Sequence, residues 1–286
     1  MYTARIENRF GESLTLSNNE SRWQVASITG LNPVQAQIST TDIAGADGAR
    51  FNSARLATRN VVITMAIRGS MEENRLRLYR FFRTKEACRF FFQTETRNAY
   101  IDGYVETVEV GAFDKRQKMQ ISILCPDPFF RSVSESKTEI SNFVKHFAFP
   151  FSIEAGAPVA FSDYVGGNGT PVFNNSESET GMEITVRCLS DLSFFEISNR
   201  ATGQFIRLNF PFLAGDIVYI NTATGKKAIR LTRVAQTRNL FMALDVQSTF
   251  LQLPVGESYY LFNTSVGADD SAIQIAVSYR QQYGGL

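Results

Sequence analysis

Apolar and polar residues alternate with period two through most of the first half of the chain. Trp23-Gln-Val-Ala-Ser-Ile28 alternates and then stops at Gly30 and Pro33, which predicts a half-buried strand with a terminator. Residues 34–38 read as another strand. Residues 39–59 are polar and small, with the turn dipeptide Asp47-Gly48 at their middle, and predict a long projecting loop or hairpin. Strands return at 60–67, 88–93, 100–110 and 119–124, the last two joined as a long hairpin turned at 114–117. In the first arm of that hairpin Ile101, Gly103, Val105 and Thr107 share one face, and Tyr104, Glu106, Val108 and Val110 the other. Pro126 and Pro128 end the ladder, because proline cannot donate to it.

The period changes once. Ser70-Met-Glu-Glu73 has the form of a capping box, in which the Ser70 hydroxyl accepts from the Glu73 N–H and the Glu73 carboxylate reaches back. Leu76, Tyr79 and Phe82 follow at spacings of three and predict one apolar stripe on a helix ending near Lys85. Residues 132–141 are polar, and the domain boundary falls there, giving 1–133 and 134–286. Beyond it come short apolar runs at 171–174, 183–187, 193–198, 205–210, 216–221, 227–234, 240–245, 259–263 and 272–279. Thr224-Gly225 closes a hairpin between two of them. Many short strands with turn signals every eight to twelve residues or so predict a β-sandwich or jelly roll.

Composition narrows the function more than the fold. With 44% hydrophobic and 20% charged residues, both halves can bury a core. Lys+Arg is 29 against Asp+Glu 28, which excludes a globally basic nucleic-acid binder. The single histidine, His146, excludes any mechanism needing two imidazoles within one chain. Cys88, Cys125 and Cys188 are odd in number and not in C-x-x-C spacing, so buried reduced thiols are expected rather than a disulfide framework or a zinc site. No apolar run approaches the roughly 18 residues of a membrane span, and the first ten residues hold no apolar signal core, so neither insertion nor secretion is expected.

Catalytic patterns are missing. No nucleophile elbow accompanies His146, and Gly166-Gly167-Asn168-Gly169 lacks the Lys-Ser/Thr of a phosphate-binding loop. Asp269-Asp270 reads as a pair of solvated turn acids, and Glu72-Glu73 as helix-start chemistry. No enzyme activity, cofactor or metal is expected. One asymmetry stands out instead. Residues 50–97 hold eleven basic and four acidic residues, a net +7, so the remainder of a chain of net +1 carries −6. Segregated charge suits mating with copies of the same chain or with an acidic partner, and the dominance of Arg favours bidentate pairing.

In their order, these residues resemble the distal tail protein family of long non-contractile-tailed bacteriophages. The first half carries Ile28-Thr-Gly30, Asp47-Gly48, Arg59 before a strand, Arg75, Leu76 and Tyr79 on the helix, Gly103, and Cys125-Pro-Asp-Pro-Phe129. The second carries Asn199-x-x-Thr202-Gly203, Gly215-Asp216 before Val218-Tyr-Ile220, Ser248, Leu253-Pro-Val-Gly-Glu257, and Val277-x-Tyr279-Arg280-x-x-Tyr283-x-Gly285. The resemblance implies a mainly β, two-domain fold. Its N-terminal domain is a β-sandwich with one α-helix and a long β-hairpin, and its C-terminal domain a galectin-like β-sandwich. It further implies a homo-oligomer, a hexameric ring at the virion tail tip, folded and assembled in the bacterial host cytoplasm. The ring would join the tail tube protein to the tail-tip or tail-associated adhesion proteins, with DNA passing only in transit and no membrane insertion. On this view Asp47, Arg50, Arg55 and Arg59, in and beside the projecting segment, are the candidate oligomer interface. The rival reading is a carbohydrate-binding host-recognition protein that uses the C-terminal sandwich.

Overall fold

The structure is a computed structural model that describes residues 3–17, 22–111, 117–140, 143–145, 162–164, 170–267 and 272–286. The chain divides into two compact units, Met1–Ser134 with Gln282–Leu286, and Glu135–Gln281. Every ladder among the described residues is antiparallel.

The first unit contains β1 (Thr3–Asn8), β2 (Ser13–Leu16), β3 (Trp23–Thr29), β4 (Ala36–Asp42), β5 (Ala49–Leu56), β6 (Arg59–Ile67), α1 (Met71–Phe81), β7 (Ala87–Gln93), β8 (Asn98–Val110), β9 (Lys118–Cys125) and β10 (Phe130–Ser132). The sheet runs β2-β1-β7-β8-β9-β6-β3, with β10 pairing both β8 and a C-terminal strand, Gln282–Tyr283. Alternation supplies the core. Val61, Ile63, Met65 and Ile67 of β6 point inward beside Met119, Ile121, Ile123 and Cys125 of β9, all essentially buried.

Two readings of the pattern change. In β8 the residues Ala99, Ile101, Gly103 and Val105 face inward, but the register slips between Val105 and Thr107. That bulge adds one residue, so Val108 and Val110 return to the core side and Thr107 stays outside. In α1, Ser70 stands at the N-cap but its hydroxyl makes no cap bond, so the capping box does not form. Asn74 instead ties the helix to the segment before it. Its side-chain amide donates to Arg68 O at 2.7 Å, and its backbone N–H donates to Ser70 O at 2.9 Å. The buried face is therefore Asn74, Leu78 and Phe82 at spacings of four, while Leu76 and Tyr79 are exposed.

The second unit contains β11 (Ser136–Ile140), β12 (Phe143–Lys145), β13 (Ser162–Tyr164), β14 (Thr170–Asn174), β15 (Thr180–Gly181), β16 (Glu183–Cys188), β17 (Leu192–Asn199), β18 (Phe205–Phe212), β19 (Ile217–Asn221), β20 (Ala228–Arg233), β21 (Gln236–Asn239), β22 (Gln252–Leu253), β23 (Gly256–Thr264) and β24 (Ile273–Tyr279). A six-stranded sheet, β11-β24-β16-β19-β20-β21, and a four-stranded sheet, β14-β23-β17-β18, share one core. Ile184, Val186, Val218, Ile220 and Leu231 come from the first sheet, and Phe195, Ile197, Ile206, Leu208 and Tyr260 from the second. This is the sandwich that regular short strands predict. The run at 240–245 is not a strand. Phe241–Ala243 form a 3-10 turn in which Leu240 and Ala243, three apart, are buried and Met242 is fully exposed.

Candidate assembly surface

The polar stretch 39–59 is mostly a hairpin. Among the described residues β4 and β5 pair only with each other, from Ala36↔Leu56 to Asp42↔Ala49, and form a separate two-stranded sheet. Every residue of both strands is exposed, including Ile38 at 63% and Phe51 at 62%. Isolated two-stranded hairpins are marginal in water, because neither face is buried. Asp47 sits in the exposed turn, and Arg50 and Arg55 lie exposed along β5; the Arg55 Nε donates to Gln37 Oε1 at 2.8 Å.

Arg59 is placed differently and leaves the candidate interface. It is in phase with Val61 and Ile63 on β6 and is 1% exposed. Its guanidinium donates to Pro128 O at 2.7 Å, Gly30 O at 2.5 Å, Asn32 O at 2.7 Å and Gly284 O at 2.6 Å, and lies 4.4 Å from the Phe130 ring centroid. Burial lowers its pKa, opposed by the nearby Cys125 thiol. Arg59 is thus an internal staple that gathers three segments onto the start of β6. Gly30 must come close for this. At φ +84 it packs so tightly that a Cβ would stand 2.0 Å from Asn60 O.

The basic window is only partly neutralised within the chain. Arg89 makes a bidentate pair with Asp102, at 2.6 and 3.1 Å, while the window's own Glu86 is taken by Arg9 from outside it, at 2.6 Å. Arg77 and Arg80 on α1 and Arg83 after it are exposed and have no carboxylate partner among the described residues.

Residues that carry the resemblance in the second unit prove architectural. Asn199 Oδ1 accepts from the N–H groups of Ala201 and Thr202, turning the chain after β17. Ser248 Oγ accepts from Arg207 N–H at 2.9 Å. Asp216, 1% exposed, accepts from Arg233 Nε at 2.7 Å and Nη2 at 2.6 Å; these bonds hold its carboxyl below the usual carboxylate range. All three cysteines are buried free thiols, and burial pushes each up to about 12, which makes them unreactive. Among the described residues no cluster of His, Cys, Asp or Glu suits a metal, and no helix is long and apolar enough to cross a membrane. His146, Gly166–Gly169 and Asp269-Asp270 lie outside the described residues.

Comparison with known proteins gives this architecture its context. No curated protein sequence matches the chain. Among solved structures, the SPP1 Dit protein, described as a paradigm of the hub adsorption apparatus in phages infecting Gram-positive hosts, shares the fold. Its TM-score is 0.70 at 15% identity, over 99% of this chain and 99% of that one. A chain of the phage P2 baseplate in its activated conformation with calcium aligns with a TM-score of 0.50 at 12% identity, over 97% of this chain and 98% of that one. The strontium form of the p2 baseplate gives 0.50 at 12%, over 98% of each chain. Residues 175–283 match the family model of the siphovirus-type tail component, C-terminal domain. The mainly β fold, with one helix and a C-terminal sandwich, therefore agrees with the resemblance, and residues 175–283 are similar to the C-terminal domain of siphovirus-type tail components.

Proposed function

We propose that the chain is a non-enzymatic ring-forming hub, which joins a phage tail tube to the apparatus at the tail tip. The observation that carries this reading is the β4–β5 hairpin, wholly exposed in its own chain, in a fold shared end to end with hub proteins. Ile38 and Phe51 have nothing in their own unit to cover them, and a neighbouring copy is the natural cover. Head-to-tail contacts between unlike faces close into a ring when the rotation allows, and the +7 window against a −6 remainder supplies unlike faces. Asp47, Arg50 and Arg55 are the polar members of that contact. Six copies, assembled in the host cytoplasm and carried at the virion tail tip, would leave a channel through which DNA passes.

The glycan-binding alternative gains no aromatic platform from the only tryptophan. Trp23 is 3% exposed and lies in the first unit. Negative-stain images and mass photometry of the purified chain test the hub. Closed rings are expected, and replacing 37–55 by a short Gly-Ser turn should leave a folded monomer. Rings that persist without the hairpin would remove it from the interface, and a monomeric intact chain would remove the hub reading.

A further inference from the structure

The six-stranded sheet of the second unit ends at β21, which among the described residues pairs only with β20. The register is Arg233↔Gln236, Thr232↔Thr237, Leu231↔Arg238 and Arg230↔Asn239, and Leu240 N–H continues it by donating to Ile229 O at 3.0 Å. Antiparallel alternation then turns the peptide groups of Gln236 and Arg238 toward β20, and those of Thr237 and Asn239 outward. An outward row of unpaired N–H and C=O groups is a template for another strand. Both edges of the four-stranded sheet carry a proline, Pro171 in β14 and Pro211 in β18. β21 carries none, and its ladder has no bulge.

Charge at this edge has one sign. A cavity of about 320 Å³ opens beside it, lined among others by Lys227, Arg230, Thr237, Arg238, Asn239 and Phe241, with no carboxylate in the lining. Lys227 and Arg230 have no ion pair among the described residues. Arg238 lies over the Phe210 ring at 4.7 Å, and the nearby Asp216 spends its hydrogen bonds on Arg233 and Leu213 N–H. The turn of the same hairpin is strained. Val234 at φ 47 and Ala235 at φ 64 hold left-handed conformations that Asn or Gly adopt at less cost, and Val234 is 94% exposed. A β-branched residue kept there gains nothing inside its own unit.

We propose that the open edge of β21 and the cationic cavity beside it receive an extended acidic segment of a partner protein, added to the sheet as a further strand. The peptide groups of Thr237 and Asn239 supply main-chain pairing. Lys227, Arg230 and Arg238 select for carboxylates, and the cavity floor at Phe241 takes one apolar side chain of the incoming strand. The site lies wholly within the second unit, and the proposal does not rest on the ring.

The test uses the full chain and a labelled, end-capped peptide alternating glutamate and valine, titrated to millimolar concentration by fluorescence anisotropy. Comparators are the same peptide N-methylated at alternate residues and inorganic phosphate. Binding is expected to fall at least about tenfold on N-methylation of the peptide and in the double variant Lys227→Glu, Arg230→Glu, whose melting should match the parent. Thr237→Pro should abolish binding while sparing the ladder, because the N–H it removes points outward. The amides of Thr237 and Asn239 should exchange freely alone and gain protection with the peptide. Equal affinity for the N-methylated peptide, full competition by phosphate, or exchange protection in the free chain would each overturn the proposal, as would a lack of binding throughout the titration.

Discussion

Among the described residues no carboxylate pairs with the buried Arg59 guanidinium; four carbonyls from three segments and the Phe130 ring hold it instead. Removing the charge leaves those oxygens without donors in a site water cannot easily reach. Arg59→Met is therefore expected to cost about 3–5 kcal/mol by denaturant unfolding of the first unit, the range for breaking a buried charged network. Arg59→Lys should recover only part of it, because one ammonium cannot reproduce the planar fork. A loss below about 1 kcal/mol for the methionine variant would show that the carbonyls rehydrate. The inward direction of Arg59 was readable, since it shares the parity of Val61, Ile63 and Met65. Its partners were not, because Gly30, Asn32, Pro128 and Gly284 are brought there by loops and by the far end of the chain.

Elements were legible where one physical cause set the pattern and illegible where two competed. The strands β6, β7 and β9 follow apolar alternation alone, and sequence places them within a residue or two. β8 starts the same way but absorbs a bulge, which no residue type announces, so its second half is read on the wrong face. β11 and β21 are polar edge strands with little or no apolar face to report them. The period announces α1 but not its cap or its buried stripe, because a Ser-x-x-Glu spacing and a buried asparagine compete for the same start. The consequence is measurable. Ser70→Ala should leave the melting temperature within error, whereas Asn74→Ala should lower stability by about 1–2 kcal/mol, through a buried amide that bonds Arg68 O. Equal effects in thermal unfolding would return the capping role to Ser70. The candidate interface is legible as a projecting segment, since its polarity and turn dipeptide mark it; that its strands expose Ile38 and Phe51 is not, because pairing of β4 with β5 leaves both faces of the hairpin open.

At the scale of the whole molecule, the chain leaves the first unit at Ser134 and returns to it at Gln282. The returning residues complete that unit. Tyr283 pairs with Phe130, Gly284 O and Gly285 O accept from Arg59 and Arg97, and Leu286 N–H donates to Leu31 O at 3.0 Å. Gly285 lies so close to Pro33 that a Cβ there would stand 2.9 Å from its Cδ. A polypeptide of residues 1–134 therefore lacks an acceptor of its buried arginine and one strand of its sheet. Joining Ser134 to Gln282 by a short Gly-Ser turn restores both, because β10 and the C-terminal strand are antiparallel neighbours and a turn can close them as a hairpin. The joined chain should melt at least about 5 °C above residues 1–134 alone. It should also form the same oligomers as the intact protein, while residues 135–281 fold without it. Identical melting of the two short chains would mean that the returning strand is ornamental to the first unit. The expected difference has a consequence for assembly, since the unit proposed to build the ring is complete only with residues 282–286 in place.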